Sequence, residues 1–390
     1  MLSRRDFLAG ATLLAGSSLL VDVAALAKLA QTDSAPYPGA RLLGTIPFIG
    51  EIAIAPGKLW DSGLDARLYT DLSTLSPDSL ITATDKFYVR TGCPDQIDYH
   101  APWTIKLTTP TKEVRELPME KLQSMSRDMG VHLMECAGNE KGGEFGLMSA
   151  CSWHGVPIVQ LLNYVKLKSK FKYVCISGFD RHSHPSLGIN VRKSIPGASW
   201  IFTMDQLASS GAFLATKMNG QALPKDHGYP VRLFVPGWYG CTCIKWVEEI
   251  SFPDENAEAT SQMKEFADRT QQNGVPELAR DYKPATIDQA AMPVRVEQWE
   301  VDGHYKYNVV GIMWGGHKLT NKLQIRFRPD EPFVPVETYH QTTNATWTLW
   351  SHKWTPPTTG IYRIQLKIAD PTIPTRRLDQ GYYIRSVNLS

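Results

Sequence analysis

The chain has 390 residues, of which 43% are hydrophobic and 21% are charged, and its formal net charge at pH 7 is +2. So small a net charge excludes the strongly basic surface that nucleic acids and anionic membranes attract. The length predicts two domains, each able to bury its own hydrophobic core. Beyond the N-terminal segment, no run reaches the roughly 18 apolar residues that a membrane-spanning helix needs, so we expect no stable membrane insertion.

The first 27 residues have the order of an export signal. SRRDFL at residues 3–8 is a twin-arginine pattern, a short apolar run follows it, and ALA at residues 25–27 provides a small-residue cleavage site. We therefore predict a twin-arginine signal over residues 1–27 and a periplasmic protein, with a buried N-terminal helix as the alternative. Because this route exports folded proteins, often with a complex cofactor inside, the signal favours a cofactor-dependent enzyme.

Residues 28–84 are assigned to an N-terminal extension, and residues 85–253 show the mixed pattern of an α+β domain. Apolar and β-branched runs predict short strands, and a proline near the start of an apolar run predicts the first turn of a helix. The predicted strands cover residues 85–90, 103–107, 173–177 and 231–235, and the predicted helices cover residues 117–125 and 156–165.

The second half of the chain changes in pattern. Residues 254–284 are polar and contain several prolines, which predicts a linker with a helical patch near residues 261–270. Residues 323–328 and 361–368 then alternate strictly between apolar and polar side chains, as half-buried antiparallel strands do. The sequence therefore predicts an immunoglobulin-like β-sandwich over residues 285–390.

One of the six cysteines, Cys136, lies in the segment HLMECAGNE, between hydrophobic residues and a Gly-Asn turn. Three roles are open for it: half of a disulfide, a nucleophile, or a ligand to a cofactor. The i, i+2 pair of Cys241 and Cys243 is too close for an easy bridge, because a disulfide needs converging Cβ vectors. A nucleophile would need a base, and His132 is the candidate that the spacing offers.

Five segments decide between these roles by resemblance. They occur in the order FYVR (87–90), MECAGN (134–139), KSI (193–195), KMNGQALPKDHGYPVR (217–232) and a last segment that begins VPGWYG and ends IKW (235–246). Together they resemble the sulfite oxidase family of molybdopterin enzymes, over roughly residues 80–390. The resemblance implies an α+β molybdopterin-binding domain over residues 85–253, followed by a β-sandwich that pairs two copies of the chain into a homodimer.

The resemblance also implies roles for individual residues. Cys136 would be the protein's ligand to molybdenum, and a thiolate is a soft donor that suits the metal when a pterin dithiolene supplies two more sulfurs. Arg90 would place positive charge at the substrate site, and Lys141 would partly replace a family arginine as a point charge. Arg385 is either a second substrate arginine or an exposed strand arginine. The residues implied to bind the cofactor are Tyr88, Arg90, Asp180, Ser194, His227, Arg232, Cys243, Ile244 and Lys245.

The family's reaction is oxygen-atom transfer coupled to a two-electron change at molybdenum, and the sequence departs from sulfite oxidases near the substrate. Thr216 replaces the family's active-site tyrosine, Glu140 and Lys141 replace two arginines, and the loop at residues 142–151 is shorter. We therefore expect oxygen-atom transfer on a small sulfur oxyanion or a related compound. The alternatives are an S- or N-oxide reductase, a thiol hydrolase, and a secreted binding protein without catalysis.

The sequence contains no C-x-x-C-H motif and no iron–sulfur cysteine set. The molybdenum centre would then be the chain's own redox group. We therefore predict a separate electron-transfer partner, such as a periplasmic c-type cytochrome.

Overall fold

The structure is a computed structural model that describes residues 35–51, 58–61, 66–94, 97–98, 100–164, 171–180, 198–340 and 343–390. The predicted export signal and the predicted cofactor residue Ser194 lie outside the described residues. No helix in the described ranges is both long and apolar enough to cross a membrane.

Strands dominate the described residues. They are β1 Arg41–Ile46, β2 Thr104–Thr108, β3 Val114–Pro118, β4 Arg127–Glu135, β5 Met148–Pro157, β6 Tyr173–Gly178, β7 Ser199–Thr203, β8 Phe213–Met218, β9 Gln221–Ala222, β10 Arg232–Phe234, β11 Val247–Ser251, β12 Ala290–Val301, β13 His304–Trp314, β14 Leu323–Arg326, β15 Val334–Pro335, β16 Thr338–His340, β17 Trp347–Trp354, β18 Gly360–Ile368 and β19 Arg385–Leu389. The α-helices are short: α1 Met119–Met125, α2 Ile158–Tyr164, α3 Met204–Ser209, α4 Ser261–Glu265 and α5 Arg376–Asp379.

Two sheets build the first half of the molecule. One has the order β10-β8-β5-β4, with β9 on the side of β8, and it carries the strand that ends immediately before Cys136. The other has the order β3-β2-β11-β6-β7 and is mixed, because β11 runs parallel to β2 and antiparallel to β6. One antiparallel sheet and one mixed sheet, joined by short helices, confirm the predicted α+β class for this region.

The predicted strand over residues 85–90 is wrong. A 3-10 turn covers Thr84–Lys86, and Val89 pairs only through an isolated bridge with Leu68. Side-chain hydroxyl groups satisfy the backbone here: the carbonyl of Lys86 accepts from Thr70 Oγ1 at 3.1 Å, and the N–H of Tyr88 donates to Ser149 Oγ at 2.9 Å. Because the backbone groups find these partners, no neighbouring strand is needed.

Two further antiparallel sheets form the second half, in the orders β1-β12-β13-β17-β16 and β15-β14-β18-β19. Aromatic side chains join their faces: the ring of Phe327 stacks on Trp354 with centroids 4.1 Å apart, and Tyr362 meets Trp354 edge-on at 4.8 Å. The structure thus has two facing sheets in this region, and their immunoglobulin-like topology stays a prediction. The predicted N-terminal extension is not separate from them, because β1 pairs with β12.

The predicted linker is folded onto the rest of the protein. Helix α4 lies within the predicted helical patch, and its Met263 is fully buried in the core. The hydroxyl of Thr260, which caps α4, donates to the carbonyl of Ser199 in β7 at 2.6 Å. This packing brings the residues that follow α4, including Arg269, next to the segment that carries Cys136.

Candidate functional site

Cys136 lies in a closed turn at the end of β4. Its N–H donates to the carbonyl of Leu147 at 2.9 Å, and its own carbonyl accepts from the N–H of Asn139 at 2.9 Å. Asn139 fastens the turn from inside, because its Oδ1 accepts from the N–H of Leu147 at 3.0 Å. The N–H of Gly138 points at the sulfur, with 3.4 Å between N and Sγ. The sequence CAGN therefore holds the thiol in a fixed direction.

The thiol of Cys136 is buried, at 5% exposure, and two arginines and Glu135 lie near it. Burial raises the pKa of Cys136, while Arg90, the Gly138 N–H and Arg269 lower it. Arg269 is close, because a Cβ atom added to Gly138 would lie 3.1 Å from Arg269 Nη1 and 3.8 Å from Cys136 Sγ. The structure thus brings two arginines to the sulfur, of which the sequence analysis identified only Arg90.

The hydrolase alternative needs a base beside the thiol, and His132 does not serve. Its Nε2 bonds to the carbonyl of Met129 at 2.7 Å, and its ring packs against Phe213 and Phe234. Burial lowers the pKa of His132. The histidine is therefore part of the aromatic packing between strands and is not positioned to activate Cys136.

Three basic residues converge in a second cluster, which we call the basic cluster: His227, Arg232 and Lys245. Arg232 donates from Nη1 to the carbonyl of His227 at 3.1 Å and from Nη2 to the carbonyl of Cys243 at 3.0 Å. Lys245 Nζ donates to the carbonyls of Asp226, at 2.9 Å, and Thr91.

Gly228 allows this convergence. Its φ is +102°, and a Cβ atom there would lie 3.0 Å from the Cβ of Arg232 and 3.1 Å from that of Lys245. A left-handed backbone with no side chain is what glycine provides at low cost. The glycine of the DHG segment therefore sets the distance between the two cations.

The electrostatics of the basic cluster favour an anion. Burial, then Lys245 and Arg232, lower the pKa of His227 to about 3. Burial, then Arg232, lower the pKa of Lys245 to about 7. In addition, Nε of Arg232 is buried without a hydrogen-bond partner among the described residues. Because buried like charges are costly until an opposite charge joins them, the residues present fit a phosphate group, and the phosphate of molybdopterin is one.

The remaining residues implied to bind the cofactor surround the basic cluster where the structure describes them. Asp180 is buried, its Oδ1 accepts from the N–H of Ala198 at 3.2 Å, and its charge raises the pKa of Lys245. The carbonyl of Ile244 accepts from the N–H of Leu233 at 2.7 Å, beside Arg232. Cys243 Sγ accepts from the N–H of Val235 at 3.4 Å.

Tyr88 lies between the thiol of Cys136 and the basic cluster. Its hydroxyl lies against Gly240, where a Cβ atom would be 2.6 Å from the oxygen and 3.2 Å from the carbonyl of Glu135. Its pKa is raised well above the usual value by burial and by the charge of Cys136, and Arg232 lowers it. These contacts connect the two parts of the site through one phenol.

A cleft of about 560 Å³ opens beside the basic cluster. Its lining residues include Thr84, Val89, Pro224, Asp226 and His227.

Comparison with known proteins agrees with this geometry. Residues 91–261 match the family model described as an oxidoreductase molybdopterin binding domain. The chain is 30% identical over 209 residues to the mitochondrial sulfite oxidase of Rattus norvegicus, covering 49% of this chain and 36% of that protein. Residues 91–261 therefore form an oxidoreductase molybdopterin binding domain of the sulfite oxidase type. The predictions of family, of a molybdopterin cofactor with molybdenum and of an oxidoreductase are confirmed.

The chain is also similar to enzymes whose names indicate other substrates. It is 31% identical over 202 residues to a nitrate reductase [NADPH] of Beauveria bassiana, covering 47% of this chain and 21% of that protein. The chain thus spans between 21% and 36% of the length of these curated relatives. In fold it is similar to a chain of the sulfane dehydrogenase SoxCD from Paracoccus pantotrophus, with a TM-score of 0.63 at 16% identity, covering 85% of this chain and 88% of that one.

The structure does not bring Arg385 to the thiol as a substrate residue. The guanidinium is 4% exposed and forms an ion pair with Glu51, with Nη2 2.5 Å from Oε2. Nη1 donates to the carbonyl of Pro293 at 2.9 Å, and the group lies over the ring of Phe48 at 3.6 Å. Both expectations for Arg385 are therefore corrected: it is neither exposed nor available to a small molecule, because these contacts occupy it.

Arg377 is a site residue that the sequence analysis missed. Its Nη2 donates to the carbonyls of Ala137, at 2.9 Å, and Arg269, at 3.2 Å. Its Nη1 is buried and has no hydrogen-bond partner among the described residues, and it lies 4.0 Å from Glu135 Oε1. Nothing in the local sequence distinguishes Arg377 from Arg376, so the signal is purely spatial.

The structure also shows the burial and the contacts of the residues that replace those of sulfite oxidases. Thr216 is buried, and its Oγ1 is 2.8 Å from the hydroxyl oxygen of Ser126. Its hydroxyl therefore bonds within the protein, and the position has no phenol. Lys141 begins the 3-10 turn Lys141–Gly143 and is partly buried, directly after the exposed Glu140.

Proposed function

We propose that the protein is a periplasmic molybdenum oxidoreductase that catalyses two-electron oxygen-atom transfer on a small sulfur oxyanion. The observation that carries the proposal is the buried thiol of Cys136, which lies near Arg90 and Arg269, while His132 is held by the carbonyl of Met129. A thiol in that setting suits a soft metal ligand with an anionic substrate beside it. Twin-arginine export and the periplasmic location rest on the N-terminal sequence.

When bound, the molybdenum–pterin group supplies a centre that changes by two electrons and exchanges an oxygen atom. The chain's own residues would bind the cofactor and orient the substrate. The basic cluster would hold the phosphate by charge-assisted hydrogen bonds, and Asp180 would accept hydrogen bonds from N–H groups of the pterin. Arg90 and Arg269 would bring positive charge to the neighbourhood of Cys136, where they would position an oxyanion substrate and stabilise its charge.

The reducing equivalents need a second protein. We propose a c-type cytochrome as the separate electron acceptor and a homodimer formed through the two C-terminal sheets. Size-exclusion chromatography with light scattering tests the dimer, and the reduced absorption bands of an added cytochrome test electron transfer.

The decisive experiment measures molybdenum in the protein purified from a host that makes molybdopterin. We expect close to one molybdenum per chain in the wild type and almost none in Cys136→Ser. Cys151→Ser is the matched control, because Cys151 is a fully buried cysteine of the neighbouring strand β5. A wild type without molybdenum, from cells that load other molybdenum enzymes, would reject the proposal in favour of a binding protein.

An S- or N-oxide reductase on the same cofactor is the second candidate. Two observations favour it: Thr216 is bonded to Ser126 where sulfite oxidases have a phenol, and the carboxylate of Glu140 follows the metal-ligand turn. Two assays of the molybdenum-loaded protein distinguish oxidation from reduction. One supplies sulfur oxyanions and a one-electron acceptor, and the other supplies S- or N-oxides and a reduced dye.

A further inference from the structure

The turn from Cys136 to Asn139, which we call the Cys136 turn, lies beneath the protein surface. Cys136, Ala137 and Asn139 are 5%, 2% and 1% exposed. A second protein that accepts electrons cannot touch a thiol at this depth, so the electrons must cross the residues between the thiol and solvent. Electronic coupling decays less steeply along covalent and hydrogen bonds than across gaps. The bonded connections between the Cys136 turn and exposed side chains therefore indicate the route.

Tyr382 connects the Cys136 turn directly to the surface. Its hydroxyl donates to the carbonyl of Asn139 at 2.7 Å, and 39% of the residue is exposed. The N–H of Asn139 in turn donates to the carbonyl of Cys136 at 2.9 Å. The path from the thiol to the phenol ring thus crosses two hydrogen bonds and otherwise follows the covalent bonds of Cys136 and Asn139.

Arg377 provides a second connection between the same turn and the same ring. Its Nη2 donates to the carbonyl of Ala137 at 2.9 Å, and its guanidinium lies over the ring of Tyr382, 5.2 Å from the centroid. The N–H of Tyr382 donates to the carbonyl of Arg377 at 3.0 Å. The arginine is 6% exposed, so it stays within the protein while the ring that it faces reaches solvent. Tyr382 is therefore the exposed end of both connections.

Buried aromatic rings hold Tyr382 in place. Phe145 meets its ring edge-on with centroids 5.9 Å apart, and Tyr383 does so at 5.2 Å. Phe145 and Tyr383 are themselves 0% and 3% exposed. A tyrosine that is fixed on one side and open on the other is a typical anchor of protein–protein interfaces, because its large ring is already ordered before the partner binds.

We propose that a c-type cytochrome docks with its haem edge on the exposed face of Tyr382 and takes electrons through the Cys136 turn. This inference rests on the proposed function and names the surface at which its electron acceptor binds. A haem protein fits because the flat edge of a haem can lie on a phenol ring, and because the sequence carries no haem or iron–sulfur motif of its own.

The electrons balance over two encounters. When the sulfur oxyanion gains an oxygen atom from water, a new S–O bond forms, two O–H bonds of water break, and two protons and two electrons are released. The protons pass to solvent. Each encounter with the cytochrome moves one electron to a ferric haem, which becomes ferrous, so two haems are reduced for each substrate molecule that is oxidised.

The test reduces the molybdenum-loaded protein with dithionite, removes excess reagent and follows the reduction of soluble ferric cytochrome c at several concentrations. Tyr382→Phe keeps the ring but removes the bond to Asn139, so the limiting rate should fall severalfold at an unchanged apparent Kd. Tyr382→Ala also removes the ring and should raise the apparent Kd about tenfold, as loss of an aromatic interface anchor does. The same two substitutions at Tyr305, a 57% exposed tyrosine on β13, are the matched controls and should behave as wild type.

Binding is also measured without electron transfer. Calorimetry of ferric cytochrome c with the oxidised protein should give a Kd that is about tenfold weaker for Tyr382→Ala and unchanged for Tyr382→Phe. An unchanged Kd in Tyr382→Ala would overturn the docking surface, and an unchanged limiting rate in Tyr382→Phe would overturn the path through Asn139.

Ferricyanide separates a lost electron exit from damage to the site. Because this small ion does not need a surface that fits a cytochrome, its rate of reduction should stay close to wild type in both Tyr382 variants. Equal slowing with both acceptors, or loss of molybdenum from Tyr382→Phe, would show that Tyr382 only supports the Cys136 turn and would overturn the inference. A protein that passes electrons to cytochrome c after dithionite but oxidises no sulfur oxyanion would instead contradict the proposed reaction and leave the electron exit in place.

Discussion

The indole N–H of Trp314 donates to Oε2 of Glu135 at 2.8 Å, across 179 positions of the chain and one residue before Cys136. Both side chains are fully buried. Burial raises the pKa of Glu135, while Arg377 and the bond from Trp314 lower it. Strand β13 of the C-terminal sheets thus supports the strand that ends immediately before Cys136, the proposed metal ligand.

Trp314→Phe tests this support. The change keeps the aromatic packing but leaves a buried carboxylate oxygen without its donor, so we expect the free energy of unfolding to fall by about 1–3 kcal/mol. Trp347→Phe is the control, because its indole N–H donates at 3.0 Å to the carbonyl of the partly exposed Leu80, which water can replace. Urea unfolding compares the two variants, and an equal loss in both would contradict the assigned role of Glu135.

His227 predicts the pH dependence of the cofactor-free protein. Its folded pKa of about 3 lies below the ordinary value of 6.5, so the native state keeps it neutral while the unfolded chain binds a proton. The contribution of His227 to the free energy of unfolding is therefore fully present above about pH 6.5, and it falls by about 1.4 kcal/mol for each pH unit below that value. His227→Gln should reduce this slope between pH 6.5 and 5 and leave the part that comes from buried His132, whereas exchange of the exposed His304 should leave the slope unchanged. Urea midpoints against pH give the slopes.

The part of the site that motifs encode was predictable, and the part that tertiary contacts create was not. Cys136 and the basic cluster lie in short segments whose spacing is visible in sequence. Arg377 reaches Ala137 across 240 positions, and Arg385 is occupied by Glu51 across 334 positions, so neither role has a local signal. The strand predicted over residues 85–90 failed for the same reason, because hydroxyl groups of Thr70 and Ser149 take its backbone partners.

Gly228→Ala should separate crowding of the basic cluster from simple backbone strain. At φ +102° a methyl group is strained, and here it would also press against Arg232 and Lys245. We expect a loss of about 1–3 kcal/mol in unfolding free energy, together with loss of molybdenum. Gly274→Ala is the control, because its φ is +67° and nothing lies within 4 Å of the added atom. It should lose stability, by about 1 kcal/mol, and keep its molybdenum.

The charges around Cys136 predict how fast its thiol reacts in the cofactor-free protein. Because Arg90 and Arg269 lower the pKa of Cys136 against the effect of burial, removing either cation leaves less thiolate at pH 8. Arg90 has the larger influence, so alkylation by iodoacetamide should slow more in Arg90→Met than in Arg269→Met, and the surface variant Arg115→Met should match wild type. Mass spectrometry of the peptide that contains Cys136 gives the rates. Faster alkylation in either arginine variant would show that these side chains act on Cys136 mainly by covering it, and the electrostatic basis for placing an oxyanion beside the sulfur would be lost.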